Sequence, residues 1–413
     1  MAPATLSVLD MSDTPFAPWP SFTQEEADAV AEVLLSGKVN AWTGNGTRHF
    51  EDAFARFCGS SHAIALANGT VALDLALYGL GIGARNGGSA ADEVIVTPRS
   101  FMASVSTIVN AGARPVFADV DADSQNITPE TVAPLLTPHS RAILCVHLAG
   151  WPCDMDGFRA LTEGTGIRLI EDCAQAHGAL CRGRSVGALG DVAAWSFCQD
   201  KIMTTGGEGG MVTCNDPALW DRMWSYKDHG RDWQATFQQQ HPPGFRWLLN
   251  SFGTNWRLTE MQSAIGLIQL GRMPDWQAKR QDHAAALADA LEPFTEPDGL
   301  IRLPVLDKSS GDRHGWYKFY GFLRPERLAP GWSQDRFVAA IADRGVPCFH
   351  GSCPEIYLEK AFDGTGFRPT KPLPVARRLG ETSFMMLVHP TLTSENIARA
   401  QAVLADVCVQ ASA

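Results

Sequence analysis

The sequence predicts an α/β fold built around a mostly parallel sheet, and three observations predict it. Short apolar runs alternate with helical patterns from residue 63 to residue 171, the mark of a parallel sheet covered by helices. The runs before Asp172 and through Ser196 stop at polar or charged clusters, as strands do where an open sheet presents its carboxyl edge to a ligand. Finally, Ala65-Leu-Ala-Asn68-Gly69-Thr70 passes from a strand through a tight turn into a helix, which gathers free backbone N–H groups and a positive helix end at one place.

Taken in order, residues 1–20 are Pro-rich, lack periodicity and read as an extended arm. Thr23 and Glu26 make a capping box, and Ala27, Val30, Ala31 and Leu34 share one face of a helix that Gly37 ends. A second helix covers 47–58, with Phe50, Phe54 and Phe57 pointing inward. Strands are then expected at 63–67, 93–97, 114–120, 141–147 and 167–171, and helices at 70–80, 101–112, 129–137 and 154–165. A further strand at 211–214 precedes a helix at 216–227. Residues 230–253 break the pattern and read as a long, partly mobile loop. Two helices follow, at about 259–270 and 275–292, and proline clusters near 293–304 mark the passage to a smaller α+β part. The expected division is an arm at 1–20, a large domain at 21–270 and a small C-terminal domain at 271–413.

Composition narrows the function. The 413 residues carry a net charge of -11, which argues against nucleic acid as the main partner. Ten cysteines include no Cys-x-x-Cys pair, so no metal site is expected. Cys145, Cys173, Cys198 and Cys214 lie in or beside apolar runs, as reduced core cysteines do, which favours a cytoplasmic location. No signal sequence is evident at the N-terminus, and no apolar run reaches the ~18–20 residues of a membrane span.

Asp172 and Lys201, held at strand ends, suit pyridoxal 5'-phosphate (PLP). The lysine amine forms a Schiff base with the aldehyde, and the carboxylate keeps the pyridine nitrogen protonated, so the ring accepts electrons when a Cα–H bond breaks. Either residue alone also reads as a strand-end Asp or a surface Lys in a glycine-rich loop, and Asn68-Gly69 as an ordinary turn. Gly79-Leu-Gly81-Ile-Gly83 follows a helix and so reads as a helix terminus, not a dinucleotide fingerprint. Phe101 could stack on a cofactor ring or fill the core. His147 and His177 are assigned no catalytic role, and His229-Gly230 stays ambiguous.

Together, Asn68-Gly-Thr, Glu93-Val-Ile-Val, Pro115-Val-Phe-Ala-Asp-Val-Asp, Val146-His-Leu-Ala-Gly, Glu171-Asp-Cys-Ala-Gln-Ala-His-Gly, Ser196-Phe-x-x-x-Lys201, Thr204-Thr-Gly-Gly-Glu-Gly-Gly and Gly253-Thr-Asn255-Trp-Arg-Leu resemble the DegT/StrS family. Its members are fold-type I PLP enzymes, mostly aminotransferases of nucleotide-linked keto-sugars. The resemblance implies a mainly parallel seven-stranded sheet flanked by helices and a smaller α+β domain. It makes Lys201 the Schiff-base lysine and proton-moving base, and Asp172 the partner of the pyridine nitrogen. Gln175 would meet the ring hydroxyl side, and Phe101 and Ala174 the two ring faces. Gly69, Thr70 and Ser196 would bind the phosphate, and Asn255 would reach it across the boundary of a homodimer. Glutamate or glutamine is the implied amino donor.

Cys173, Cys198-Gln-Asp and the 230–253 loop, a possible lid, depart from the family's usual pattern and bear on the substrate. Residues around Phe349-His350-Gly351 could help to select the sugar. A keto-cyclitol aminotransferase, a PLP-dependent sugar dehydratase and a non-catalytic PLP-binding regulator are the rivals. Dehydratase relatives tend to replace the lysine with histidine, and a regulator has no need of an electron sink.

Overall fold

The computed structural model describes residues 16–239 and 248–413. The expected arm therefore lies outside the described residues over 1–15, as does the expected loop over 240–247. Thirteen strands are found among the described residues: β1 His62–Leu66, β2 Glu93–Val96, β3 Arg114–Phe117, β4 Ser140–Val146, β5 Arg168–Asp172, β6 Leu180–Cys181, β7 Arg184–Ser185, β8 Val192–Ser196, β9 Gly210–Cys214, β10 Ile301–Arg302, β11 Phe319–Leu323, β12 Cys348–Phe349 and β13 Ser383–Met386. The helices are α1 Gln24–Ser36, α2 Gly46–Cys58, α3 Gly69–Leu80, α4 Ala103–Asn110, α5 Pro129–Val132, α6 Met155–Thr162, α7 Pro217–Lys227, α8 Trp233–Phe237, α9 Glu260–Leu291, α10 Gln334–Ala342, α11 Pro374–Thr382 and α12 Ser394–Ala411.

Seven strands form one sheet in the order β1-β9-β8-β5-β4-β2-β3. Only β9 runs against the others, pairing antiparallel with both β1 and β8. The expected seven-stranded, mainly parallel sheet is thus present. Its central strands are buried on both faces, as sheets covered by helices on each side are. A second sheet, β10-β11-β13-β12, is antiparallel throughout and belongs to the C-terminal part.

Local chemistry explains most boundaries. Thr23 and Glu26 form the expected capping box of α1, and Gly37 closes it in the left-handed region. Gly81 closes α3 the same way, at φ 69°, which disposes of the dinucleotide reading. Glu260 of α9 accepts the Gly46 and Thr47 N–H groups at 2.6 and 2.9 Å, capping α2 from a distant part of the chain.

Three expectations need correction. The two helices expected at 259–270 and 275–292 are one helix, α9, which runs through Pro274. The capping box at Thr259 starts it, and buried Met273 and Trp276 hold it on both sides of the proline, so tertiary packing overrides the local break. The 270/271 division falls inside this helix. The apolar face of α1 does not enter the core: Leu34 is 55 % exposed. Instead α1 docks on α9 through Glu26, which accepts from Arg272 at 2.8 Å. The segment after residue 230 is not all loop: α8 packs Trp233 against Trp224, and Phe237 against Trp42. Cys145, Cys173 and Cys214 are buried as expected, but Cys198 is not fully so.

Candidate active site

The carboxyl ends of β1, β4, β5 and β8 meet one cavity of about 1380 Å³. Gly69, Thr70, Phe101, Asp172, Ala174, Gln175, Ser196 and Lys201 all line it. The strand order explains this. Antiparallel β9 separates β1 from β8, so both neighbours point the same way and deliver the Asn68 turn and Ser196 to one edge. Gly69 must be glycine there, because a Cβ would lie 2.6 Å from the Ser196 Cβ.

Asn68 accepts the Val71 N–H at 3.0 Å and caps α3. The first N–H groups of a helix have no partner within it, and those of Gly69 and Thr70 lie at the cavity wall. This cradle suits a phosphate. Across the cavity, Asp172 accepts the Ser104 hydroxyl at 2.7 Å and the Ala174 N–H at 3.2 Å. Burial pushes its carboxyl up, while Ser104, Ala174 and the Lys201 charge pull against that rise. A buried carboxylate in this state is suited to a cationic ring nitrogen.

The Lys201 Nζ lies 3.5 Å from Asp200 Oδ1 and 5.0 Å from the Tyr317 ring centroid. Trp19 Nε1 donates to the Lys201 carbonyl at 2.9 Å and fixes the backbone behind it. Gln175 spends its Oε1 on the Ala149 N–H at 2.7 Å, which leaves its amide N–H₂ as the group for a ligand. Phe101 is 71 % exposed on the cavity wall, not in the core. A phosphate cradle, a buried carboxylate, a flanking aromatic and an amine in one cavity fit PLP.

Asn255 is the exception. It is exposed, pairs by its backbone with Asp228, and does not line this cavity. Phe349 and Gly351 do line it, whereas His350 points to Asp335 at 2.8 Å. Neither His147 nor His177 lines it; His147 pairs with Glu171 at 3.1 Å in the core. His229 forms a left-handed turn at φ 63°.

The sequence reading missed Ser104, Asp200, Tyr317, Lys318 and Tyr320, all in the cavity wall. Ser104 follows Phe101 by three residues, so one helical turn could have suggested it. Nothing local marks Tyr317 or Lys318. Arg99 was also passed over. Fully buried, it donates to Gln125 at 3.0 Å, to the Ser352 carbonyl at 3.3 Å and to Ser383 at 3.1 Å.

Residues 20–405 match the DegT/DnrJ/EryC1/StrS aminotransferase family. The fold is similar to an aminotransferase from Psychrobacter cryohalolentis, with a TM-score of 0.93 and 56% identity, covering 96% of this chain and 100% of that one. A dTDP-3-amino-3,4,6-trideoxy-alpha-D-glucose transaminase of Streptomyces venezuelae is 36% identical over 88% of this chain and 87% of its own length. A GDP-perosamine synthase of Caulobacter vibrioides is 39% identical over 63% of this chain and 66% of its own.

Proposed function

The chain belongs to the DegT/DnrJ/EryC1/StrS aminotransferase family and is a PLP-dependent sugar aminotransferase, and from that premise we propose that it moves an amino group from glutamate or glutamine to a nucleotide-linked keto-sugar. The reading rests on one observation: Lys201 and Asp172 share a cavity with the α3 cradle. Relatives named for dTDP- and GDP-linked sugars support the nucleotide.

When bound, PLP supplies an electron sink for the bond broken at the substrate carbon. Gly69, Thr70 and Ser196 would hold its phosphate. Asp172 would keep the ring nitrogen protonated, with Ser104 holding the carboxylate in place. Phe101 and Ala174 would flank the ring, and Gln175 would donate to the hydroxyl side. Lys201 holds the cofactor and moves the proton at the reacting carbon. No helix among the described residues is long and apolar enough to cross a membrane.

Glutamate should bleach the visible band of the holoenzyme, and a nucleotide keto-sugar should restore it. Lys201→Ala should still bind PLP, yet lose roughly 10²–10⁴ of turnover and yield no pyridoxyl peptide after borohydride. Near-normal turnover in that variant refutes the assignment.

Asn255 would reach the phosphate in a partner copy of a homodimer. Co-expressed Lys201→Ala and Asn255→Ala chains test the shared site. If each site takes Lys201 from one protomer and Asn255 from its partner, the mixed dimer should recover activity that neither homodimer has. No recovery in a verified mixed dimer removes Asn255 from that role.

A further inference from the structure

A second lysine faces the reaction cavity and is idle in the chemistry above. Lys318 lines the same wall as Lys201. Its Nζ lies 4.6 Å from the Tyr317 ring centroid, and the Lys201 Nζ lies 5.0 Å from that centroid. The two amines are therefore less than about 10 Å apart, within the span of one small substrate. Asp200 takes the Tyr317 hydroxyl and stands 3.5 Å from Lys201. Among the described residues, Lys318 has no hydrogen-bond acceptor and no carboxylate within 4.0 Å of its Nζ.

A lysine so placed is costly unless an anion meets it. Burial pushes the Lys318 ammonium down to about 8, with Arg280 and Lys201 repelling it and Asp200 only partly opposing them. The charges acting on Lys318 itself are two cations, Lys201 and Arg280, against one acid, Asp200, and Asp172 across the cavity is coupled to Lys201. The missing charge would come with a ligand.

We propose that Lys318 anchors a substrate carboxylate beside the reacting carbon, borne by the amino donor or by an acidic sugar. The proposal rests on the aminotransferase reading and extends it to what the cavity recognises. Distance favours a carboxylate over the diphosphate of a nucleotide sugar. In an amino acid the α-carboxylate is one carbon from the transferred amine, whereas a diphosphate lies a sugar ring away from a keto carbon. The PLP phosphate has its own cradle at Gly69 and Thr70, on the α3 side. The Tyr317 ring lies within 5.0 Å of both amines.

The test uses the holoenzyme and the Lys318→Gln and Lys318→Arg variants. Maleate, an unreactive dicarboxylate, is titrated by calorimetry. L-glutamate is followed by bleaching of the visible band, and recovery is followed with neutral and uronate-bearing nucleotide keto-sugars. Lys318→Gln should weaken maleate on the order of 10- to 100-fold, as the loss of a charge-assisted hydrogen bond does. Lys318→Arg should recover part of it.

A matching loss for glutamate alone assigns the anchor to the donor, and a loss for the uronate alone assigns it to the sugar. Unchanged maleate binding overturns the proposal, as does an equal loss for glutamate and the neutral sugar, which would mean damage at Lys201. If the wild-type band ignores glutamate, the donor reading fails, while the maleate titration still decides Lys318.

Discussion

Asp172 shows how one side chain serves function against stability. Its burial raises the carboxyl, and Ser104 and the Ala174 N–H only partly offset that. Without a cationic ring beside it, the ionised form weakens the fold near neutral pH. Asp172→Asn keeps an acceptor for the Ala174 N–H, can donate its amide to the Ser104 hydroxyl, which turns to Ser100, and removes the charge. The apo variant should melt no lower than the parent by calorimetry. Turnover should fall by about 10²–10³, as when one preorganised electrostatic partner is removed. Full activity in this variant would exclude an electron-sink role. At this scale the sequence was informative wherever a residue closes a strand, as Asp172 and Ser196 do. Tyr317 and Lys318 were illegible, because they come from the turn just before β11, more than a hundred residues beyond Lys201. Only the fold brings them near.

Elements follow the same division. The capping box at Thr23 and the glycines at 37 and 81 marked helix ends correctly, since caps are local chemistry. The α9 helix was split in two because Pro274 reads as a stop. The chain continues through it, and Pro274 itself is exposed. Pro274→Ala restores an N–H and removes a ring at no cost in buried contacts. It should stabilise the protein by about 1–2 kcal/mol, less than the full helix penalty because the unfolded chain gains freedom as well. Chemical denaturation would measure this, and a loss of stability would show that the proline shape is required. The α1 helix teaches a second limit: periodicity identified an apolar face, but could not say that Glu26 would face α9 instead.

For the whole molecule, buried histidines set the response to pH. His177 has no hydrogen-bond partner for either ring nitrogen among the described residues, and it lies among Phe54, Trp195 and Phe197. Burial, helped by the Lys201 and Arg280 charges, pushes it down to about 3. Burial does the same to His389, with Arg280, Lys318 and His283 adding to it. Both pKa values are depressed by folding. Their stabilisation is present above the ordinary value of 6.5 and is lost as pH falls towards about 3. His147 works in the other direction. Burial opposes its charge, but Cys153 and Glu171 outweigh that and push it up to about 10. Between about pH 6.5 and pH 4, unfolding should take up close to one proton at each of His177, His389 and His314, which burial also pushes down to about 3, against the one that Asp74, raised to about 6, gives up; urea unfolding measures the net slope. His177→Phe should make that slope shallower; an unchanged slope would mean that His177 is protonated in the native state.

The buried Arg99 guanidinium has a mechanical corollary. It sits two residues before Phe101 and grips both the Ser352 carbonyl and Ser383. The strap carrying the ring-flanking aromatic and the wall carrying Phe349 and Gly351 are thus lashed to the same post. Neither can swing outward by itself. Whatever enters the cavity then has the remaining rim to pass, because this side is pinned at two points.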